Sequence, residues 1–229
     1  NVKRRKFYEV QSFFKEMKDN EALTQSEVKS DVAVVYDYES MASFRIQRQS
    51  FLMDYKQEVY RLYRPFYKKN IMDVIPSDSD FDKYKVLLLP VMIVHKKEVQ
   101  DKVRKFVSGG GTVVFTYRTA VKDYYNNLTL GQFNPTYYTD LVGGYVEEVE
   151  SFQDDQVAFL IGNEEFEGIN GTATVFRDML KTTTAKTLFK YEDEFFEDLA
   201  AVTLNEYEGG KVYYIGSGAD NTIMDAITN

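Results

Sequence analysis

The chain of 229 residues carries a net charge of −8, contains no cysteine and has a single histidine. These counts exclude disulfide bonds, thiolate metal sites and a cysteine nucleophile, and the acidic charge disfavours nucleic acid and anionic membranes as partners. Hydrophobic residues make up 44% of the chain, and no apolar run approaches the ~18 residues of a membrane helix. Because cysteine is absent and the first residues do not resemble a signal peptide, we expect a cytoplasmic protein.

The first predicted element is a short helix. Its apolar side chains are spaced by three and four residues, which places them on one face: Phe7, Val10, Phe14 and Met17. The segment precedes every predicted strand, and its apolar stripe needs a surface to cover it. Either the stripe packs on this domain or its partner lies upstream in a longer protein.

Four short apolar runs predict the strands of a sheet: residues 31–36, 71–75, 84–90 and 112–116. A long helix is predicted over 51–70 and a second over 97–107, which the glycines at 109–111 end. Residues 37–40 read as a loop. Strands that alternate with helices in this way predict a doubly wound α/β domain with a mostly parallel sheet.

The pattern changes after Thr116. Residues 117–144 are rich in Tyr, Asn, Thr and Gly, and a loop of this length is usually functional or interfacial. Residues 145–176 predict short strands with turns at Gly162-Asn163 and Asn170-Gly171. The remaining predictions are strands at 186–191, 200–207 and 211–216, an antiparallel hairpin turn at 208–210, and a helix at 220–227.

No motif indicates a catalytic or cofactor-binding set. The glycines at 109–111 run from helix into strand, the reverse of a phosphate-binding loop, so a helix cap is the better interpretation. His95 could act as a general base, but its lysine neighbours favour a solvated loop. Acidic clusters at 147–150 and 192–198 could supply paired carboxylates, although charge runs are usually solvated faces. We therefore assign no catalytic residue, no metal ligand and no cofactor.

The carboxyl edge of the predicted parallel sheet is the candidate site, because ligands and partners meet open α/β sheets at that edge. Six candidate contact residues should lie there: Asp37, Tyr38, Glu39, Arg45, Tyr117 and Arg118. Arg118 could form an ion pair with Asp37 or Glu39. Three interpretations remain open: a contact site for another domain or subunit, a structural ion pair that closes the sheet edge, and a small-molecule site.

Four stretches together resemble one known family. They are residues 1–10, residues 31–40 with Asp-Tyr-Glu at 37–39, residues 84–117 followed by Arg118, and the pair 200–205 and 210–216. In this order and spacing the chain resembles the trimerisation domain of glycoside hydrolase family 42 β-galactosidases, a region that follows the catalytic barrel. Tyr38 stands where many members have Trp, and Glu-Gly-Gly-Lys at 208–211 replaces a Gly-Lys-Gly-Lys turn.

The resemblance implies a flavodoxin-like or class I glutamine amidotransferase-like fold, with an antiparallel hairpin near the C-terminus. It implies a linker helix at 1–28 from an upstream barrel and a trimerisation domain at 29–229. The implied partners are further copies in a homotrimer and the barrel, whose two glutamates would hydrolyse terminal β-D-galactosides with retention. Because the chain has no cysteine, no amidotransferase chemistry is expected. The alternative is a flavodoxin-like small-molecule-binding domain or a degenerate amidotransferase-like regulatory domain.

Overall fold

The computed structural model describes residues 2–26 and 28–228. Asn1 and Glu27, which belong to the predicted 1–28 linker, and Asn229 lie outside the described residues. The elements begin with α1 (Arg5–Asp19), α2 (Glu21–Thr24), β1 (Val32–Val35), α3 (Tyr38–Ile46), α4 (Tyr55–Tyr67), β2 (Met72–Ile75), β3 (Val86–Leu89), α5 (Lys97–Ser108) and β4 (Thr112–Thr116). They continue with α6 (Thr139–Val142), β5 (Gly144–Ser151), β6 (Ala158–Gly162), a 3-10 helix (Glu164–Phe166), β7 (Asn170–Thr182), β8 (Lys186–Tyr191), β9 (Ala200–Tyr207), β10 (Gly210–Ile215), β11 (Ser217–Ala219) and α7 (Asn221–Ile227).

The predicted N-terminal helix is confirmed as α1, and its apolar stripe is uncovered. No described residue between positions 2 and 29 is buried. The exposed side chains on α1 include every member of the predicted stripe: Phe7, Val10, Phe14 and Met17. The sequence allowed two partners for this stripe, this domain or an upstream part of a longer protein. The described part of this domain does not cover the stripe.

The described strands form one mixed sheet in the order β11-β7-β6-β8-β9-β10-β4-β3-β1-β2, with β5 paired to β7. Four pairings are parallel and join β2, β1, β3, β4 and β10. Seven pairings are antiparallel. The prediction of a doubly wound, mostly parallel, flavodoxin-like or amidotransferase-like sheet is therefore wrong, because most of the pairings are antiparallel.

Short connections explain why the second half of the chain is antiparallel. A parallel pair needs a crossover of about a dozen residues or more, and only residues 163–169 separate β6 from β7 and only 208–209 separate β9 from β10. The predicted hairpin of the last two strands is confirmed as β9–β10. The predicted turn at Asn170-Gly171 is wrong, because these residues begin the long strand β7 and pair with β6.

The inner parallel strands β1, β3 and β4 are buried on both faces, whereas β2 at the sheet edge is partly exposed. Val32 and Val34 of β1 join the core cluster on the side of α4 and α7, whereas Ala33 and Val35 join the cluster on the side of α5. Successive side chains of a strand point to opposite faces, so a strand covered on both sides shows an unbroken apolar run. The unit β3–α5–β4, predicted from such runs and from the glycine stop, is confirmed as a parallel pair.

Two helix boundaries differ from the predictions. The helix predicted from Phe51 begins at Tyr55, because the Asp54 side chain accepts hydrogen bonds from the backbone N–H groups of Lys56 and Gln57 and caps the first turn. Residues 37–40, predicted as a loop, contain the start of α3, for which Asp37 is the capping residue. In both places an Asp at the N-cap marks the start of the helix.

Gly210 packs against the end of α5, and a Cβ added there would overlap the backbone carbonyl oxygen of Val107. We expect Gly210→Ala to lower the free energy of unfolding by about 1–3 kcal/mol, because backbone on both sides must move. Gly109→Ala is the matched control, since its Cβ would meet carbonyl oxygens only at tight contact distance. Urea denaturation of the two variants measures both effects, and equal losses would contradict this account of β10.

Candidate functional site

Four side chains meet at the carboxyl ends of β1, β2 and β3, and we call them the strand-end cluster: Asp37, Glu39, Ser77 and Lys96. Lys96 Nζ lies 3.1 Å from Asp37 Oδ1 and 3.0 Å from Glu39 Oε2. Lys96 Nζ also donates a hydrogen bond to Ser77 Oγ at 2.8 Å, and Ser77 Oγ donates to Asp37 Oδ1 at 2.7 Å. Because β1 pairs with both β2 and β3, the three strand ends are adjacent.

The sequence places each charge of the strand-end cluster at the start of a helix. Asp37 caps α3, where its Oδ2 accepts a hydrogen bond from the Ser40 backbone N–H at 3.0 Å. Lys96 is the residue before α5. Burial would raise the pKa of the Asp37 carboxyl, but hydrogen bonds from Ser40 and Ser77 and the Lys96 charge lower it below its usual value. The cluster thus holds a buried carboxylate in its charged form.

The predicted partner of this carboxylate is replaced by another cation. The sequence allowed Arg118 to pair with Asp37 or Glu39, whereas the structure pairs both carboxylates with Lys96. Arg118 Nη2 instead donates to Gln49 Oε1 at 2.7 Å, and its guanidinium lies 5.5 Å from the centre of the Phe176 ring. Sequence reasoning missed Lys96, although it follows β3 at the same edge.

Arg118 lies beside a buried carboxylate from β7. The Arg118 backbone N–H donates to Asp178 Oδ2 at 2.7 Å, and the Tyr214 hydroxyl donates to the same oxygen at 2.8 Å. Burial raises the pKa of Asp178, and the nearby Arg118 charge opposes that rise. Tyr117, another predicted contact residue, is buried in the core. Arg118 therefore joins the end of β4 to β7 in the antiparallel half of the sheet.

Lys122 connects the long loop after β4 to helix α3. Its buried Nζ donates to three neutral oxygens, the nearest being Asn126 Oδ1 at 3.1 Å, followed by Ser43 Oγ and Gln47 Oε1 at 3.4 Å. Burial lowers the pKa of Lys122, and the Arg118 charge lowers it further. The Ser43 hydroxyl also donates to Asn126 Oδ1 at 2.6 Å. These bonds hold the loop against α3.

This loop and α3, which are in contact, both carry exposed apolar side chains. We call this group the edge surface: Tyr38, Ile46, Tyr124, Tyr125 and Leu128. Ile46 is 75% exposed and Tyr125 is 82% exposed. Tyr38, one of the predicted contact residues, packs its ring 5.1 Å from that of Tyr36. Arg45, also predicted, is exposed on α3 between these positions. Exposed apolar side chains on two adjoining segments are typical of interaction surfaces.

The glycine motif after α5 and the single histidine both have structural roles. Gly109 is the C-cap of α5, which confirms the cap interpretation. His95 packs its ring 4.7 Å from that of Tyr137, and burial lowers the pKa of this histidine. Within residues 2–26 and 28–228, no group of three or more His, Cys, Asp or Glu side chains is arranged to hold a metal ion. In the same part of the chain, no helix has the length and apolarity needed to cross a membrane.

The fold and the edge surface define a mixed α/β domain with an exposed apolar rim. The chain belongs to the β-galactosidase trimerisation domain family, whose model matches residues 30–229. β-Galactosidase BgaA of Clostridium cellulovorans is 31% identical over 224 residues, which cover 95% of this chain and 32% of that protein. β-Galactosidase Pbg of Clostridium perfringens is 31% identical over 198 residues, which cover 82% of this chain and 28% of that protein.

A solved structure also supports the family assignment. The crystal structure of β-galactosidase from Bacillus circulans sp. alkalophilus matches with a TM-score of 0.87 and 25% identity, covering 100% of this chain and 34% of that chain. The chain spans about a third of the length of these relatives. What it matches is therefore one region of each longer protein.

The charge state of Asp37 should set part of the pH dependence of stability. Asp37→Asn places amide hydrogens opposite the Lys96 and Ser77 donors, so we expect a loss of about 3–5 kcal/mol in the free energy of unfolding at neutral pH. Because the folded pKa lies below the usual value of 3.8, the unfolded state binds more protons near that pH. The wild-type advantage should therefore shrink as the pH falls below 3.8.

Denaturant unfolding at a series of pH values measures this difference. Asp31→Asn is the matched control, because Asp31 forms an exposed ion pair with Lys85 and should lose less than about 1 kcal/mol at any pH. An Asp37→Asn loss that stays constant down to pH 3 (roughly one unit below the usual pKa of an Asp) would contradict the assigned charge.

Proposed function

We propose that this chain is the oligomerisation domain of a β-galactosidase and that it assembles as a homotrimer. The family match supports this proposal, because the matching model describes a trimerisation domain. The parent enzyme would hydrolyse terminal β-D-galactosides with retention, using two glutamates supplied by a part of the protein outside this chain. The similarity to β-galactosidases of two Clostridium species supports that activity. We place the parent in the cytoplasm, in keeping with the absence of cysteine.

The edge surface is the contact site that we propose between copies. It carries aromatic and aliphatic side chains that are exposed in the single chain, which is the composition of an interface core. Charged groups border it: Arg45 lies on α3, and Glu39 of the strand-end cluster is partly exposed. The strand-end cluster acts as the rigid support of this surface, because its buried ion pair fixes the start of α3.

The N-terminal segment 1–28 is the linker that we propose between this domain and the catalytic part. Its support is the uncovered stripe on α1, which an adjoining domain would bury. The trimerisation domain then begins near residue 29, and Ser30 is the first buried residue of the chain's described part.

Self-association can be measured by light scattering coupled to size exclusion. We expect the wild-type chain to elute as a trimer, and Ile46→Asp and Tyr125→Asp to shift it toward monomer, because a charge at an apolar contact must be desolvated. Phe159→Asp is the matched control, since Phe159 is an exposed aromatic on β6, away from the edge surface.

This experiment tests self-association and the position of the contact separately. Dissociation by Phe159→Asp, with no effect of the edge substitutions, would move the interface to β6 and leave self-association intact. A strictly monomeric wild-type chain at all concentrations would contradict assembly by this domain alone.

Removal of residues 1–28 tests the proposed boundary. Because no described residue from 2 to 29 is buried, we expect the shortened chain to unfold within about 2 °C of the full chain, a difference of less than ~1 kcal/mol. Differential scanning calorimetry measures the midpoint. A much lower midpoint would show that the segment stabilises the domain and would place the boundary elsewhere.

A further inference from the structure

A cleft of about 590 Å³ lies on the α5 side of the sheet, between α5, the loop before α6 and the start of β5. Its volume falls within the range of about 300–1,000 Å³ that holds small-molecule ligands. None of the residues of the edge surface line it. The cleft is therefore a separate site from the proposed contact between copies.

One wall of the cleft is aromatic. The rings of Phe133 and Tyr145 lie with centroids 4.2 Å apart, and Phe133 is 60% exposed. The Val146 backbone N–H donates to the Asn134 carbonyl oxygen at 2.7 Å, so the loop that carries Phe133 is fixed to β5 beside Tyr145. A fixed, exposed aromatic face is a platform on which a ligand can stack without ordering the loop.

The other wall is polar and carries no net charge. Arg104 donates to both carboxylate oxygens of Asp140 at 2.8 Å. This bonding raises the pKa of Arg104 and lowers that of Asp140, so both stay charged near neutral pH and their charges cancel. The remaining polar residues of the lining are uncharged, including Gln100 and Gln132. An anionic ligand would find no unmatched cation here.

Between the two walls lies a residue in a strained conformation. Tyr137 has a φ angle of +67°, in the left-handed region that residues other than glycine rarely adopt. Its carbonyl oxygen accepts hydrogen bonds from Gln100 Nε2 and from Arg104 Nη2. The two α5 side chains thus hold the strained turn in place and shape the cleft. Strain of this kind is concentrated at ligand sites in proteins.

We infer that this cleft binds a neutral saccharide, with a sugar ring stacked on the Phe133 and Tyr145 wall. The C–H face of a pyranose packs against the negative face of an aromatic ring. Neighbouring hydroxyls offer paired donors and acceptors, which match the paired atoms of a carboxylate, a guanidinium and an amide. The cleft lining includes all three groups, in Asp140 and Arg104 on the polar wall and in Gln132 beside Phe133. Saccharide binding at this cleft is independent of the proposed assembly.

Saccharide binding can be measured by isothermal titration of the 229-residue chain with a β-1,4-linked galactotriose. We expect a dissociation constant in the millimolar range, because the cleft is open to solvent. Phe133→Ala and Tyr145→Ala should each weaken binding by about 3- to 10-fold, the effect of losing one aromatic contact. Phe195→Ala is the matched control, since Phe195 is 93% exposed and does not line the cleft.

Several outcomes would overturn the inference. One is the absence of any heat of binding at millimolar saccharide. Another is an equal affinity of Phe133→Ala and Phe195→Ala for the saccharide. A third is tighter binding of galactose 6-phosphate than of galactose. Phe133→Ala keeps the test valid even if Tyr145→Ala, on a half-buried strand position, fails to fold. Ile46→Asp should bind the saccharide as the wild type does. That result separates failure of this site from failure of the proposed assembly.

Discussion

Strand β10 is the constraint on which the rest of this structure depends. It pairs in parallel with β4 on one side and antiparallel with β9 on the other. Buried backbone groups must find hydrogen-bond partners, so β10 both completes the edge of the parallel half and begins the antiparallel half. Its side chains contribute to both cores, because Ile215 belongs to the cluster on the α4 side and Val212 to the cluster on the α5 side. The same strand carries Tyr214, whose hydroxyl bonds to Asp178 beside the end of β4.

Much of the parallel half could be predicted from the sequence because β1 and β3 are covered on both faces. Unbroken apolar runs identified β1 and β3, and glycine at the end of α5 fixed the place where β4 begins. The antiparallel half could not be predicted to the same degree. Strands such as β6 alternate between buried and exposed residues. Some of the pairings also join strands that are distant in the chain, as for β11 on β7. Local patterns contain no signal for such pairings, so the sheet type was predicted wrongly.

Part of the candidate site could likewise be predicted from the sequence and part could not. Asp37 and Glu39 could be identified because they follow a buried strand, and that position depends only on the local sequence. Their partner could not, because Lys96 lies 59 residues from Asp37 and its neighbours are typical of a solvated loop. The sequence could not place Arg118 beside Asp178, because Asp178 lies inside a strand, where no motif marks it. The pairing of buried charges is thus decided by tertiary neighbours, which the residue types alone do not specify.

The uncovered helix α1 has a consequence for how the chain behaves in solution. A helix of 15 residues is marginally stable in water when nothing packs on it, so its amide protons exchange rapidly with solvent. A molecule that covers the stripe slows this exchange, whereas the sheet amides are protected by the global stability of the domain. Exchange rates along Arg5–Asp19 therefore report docking on this helix without a covalently attached probe.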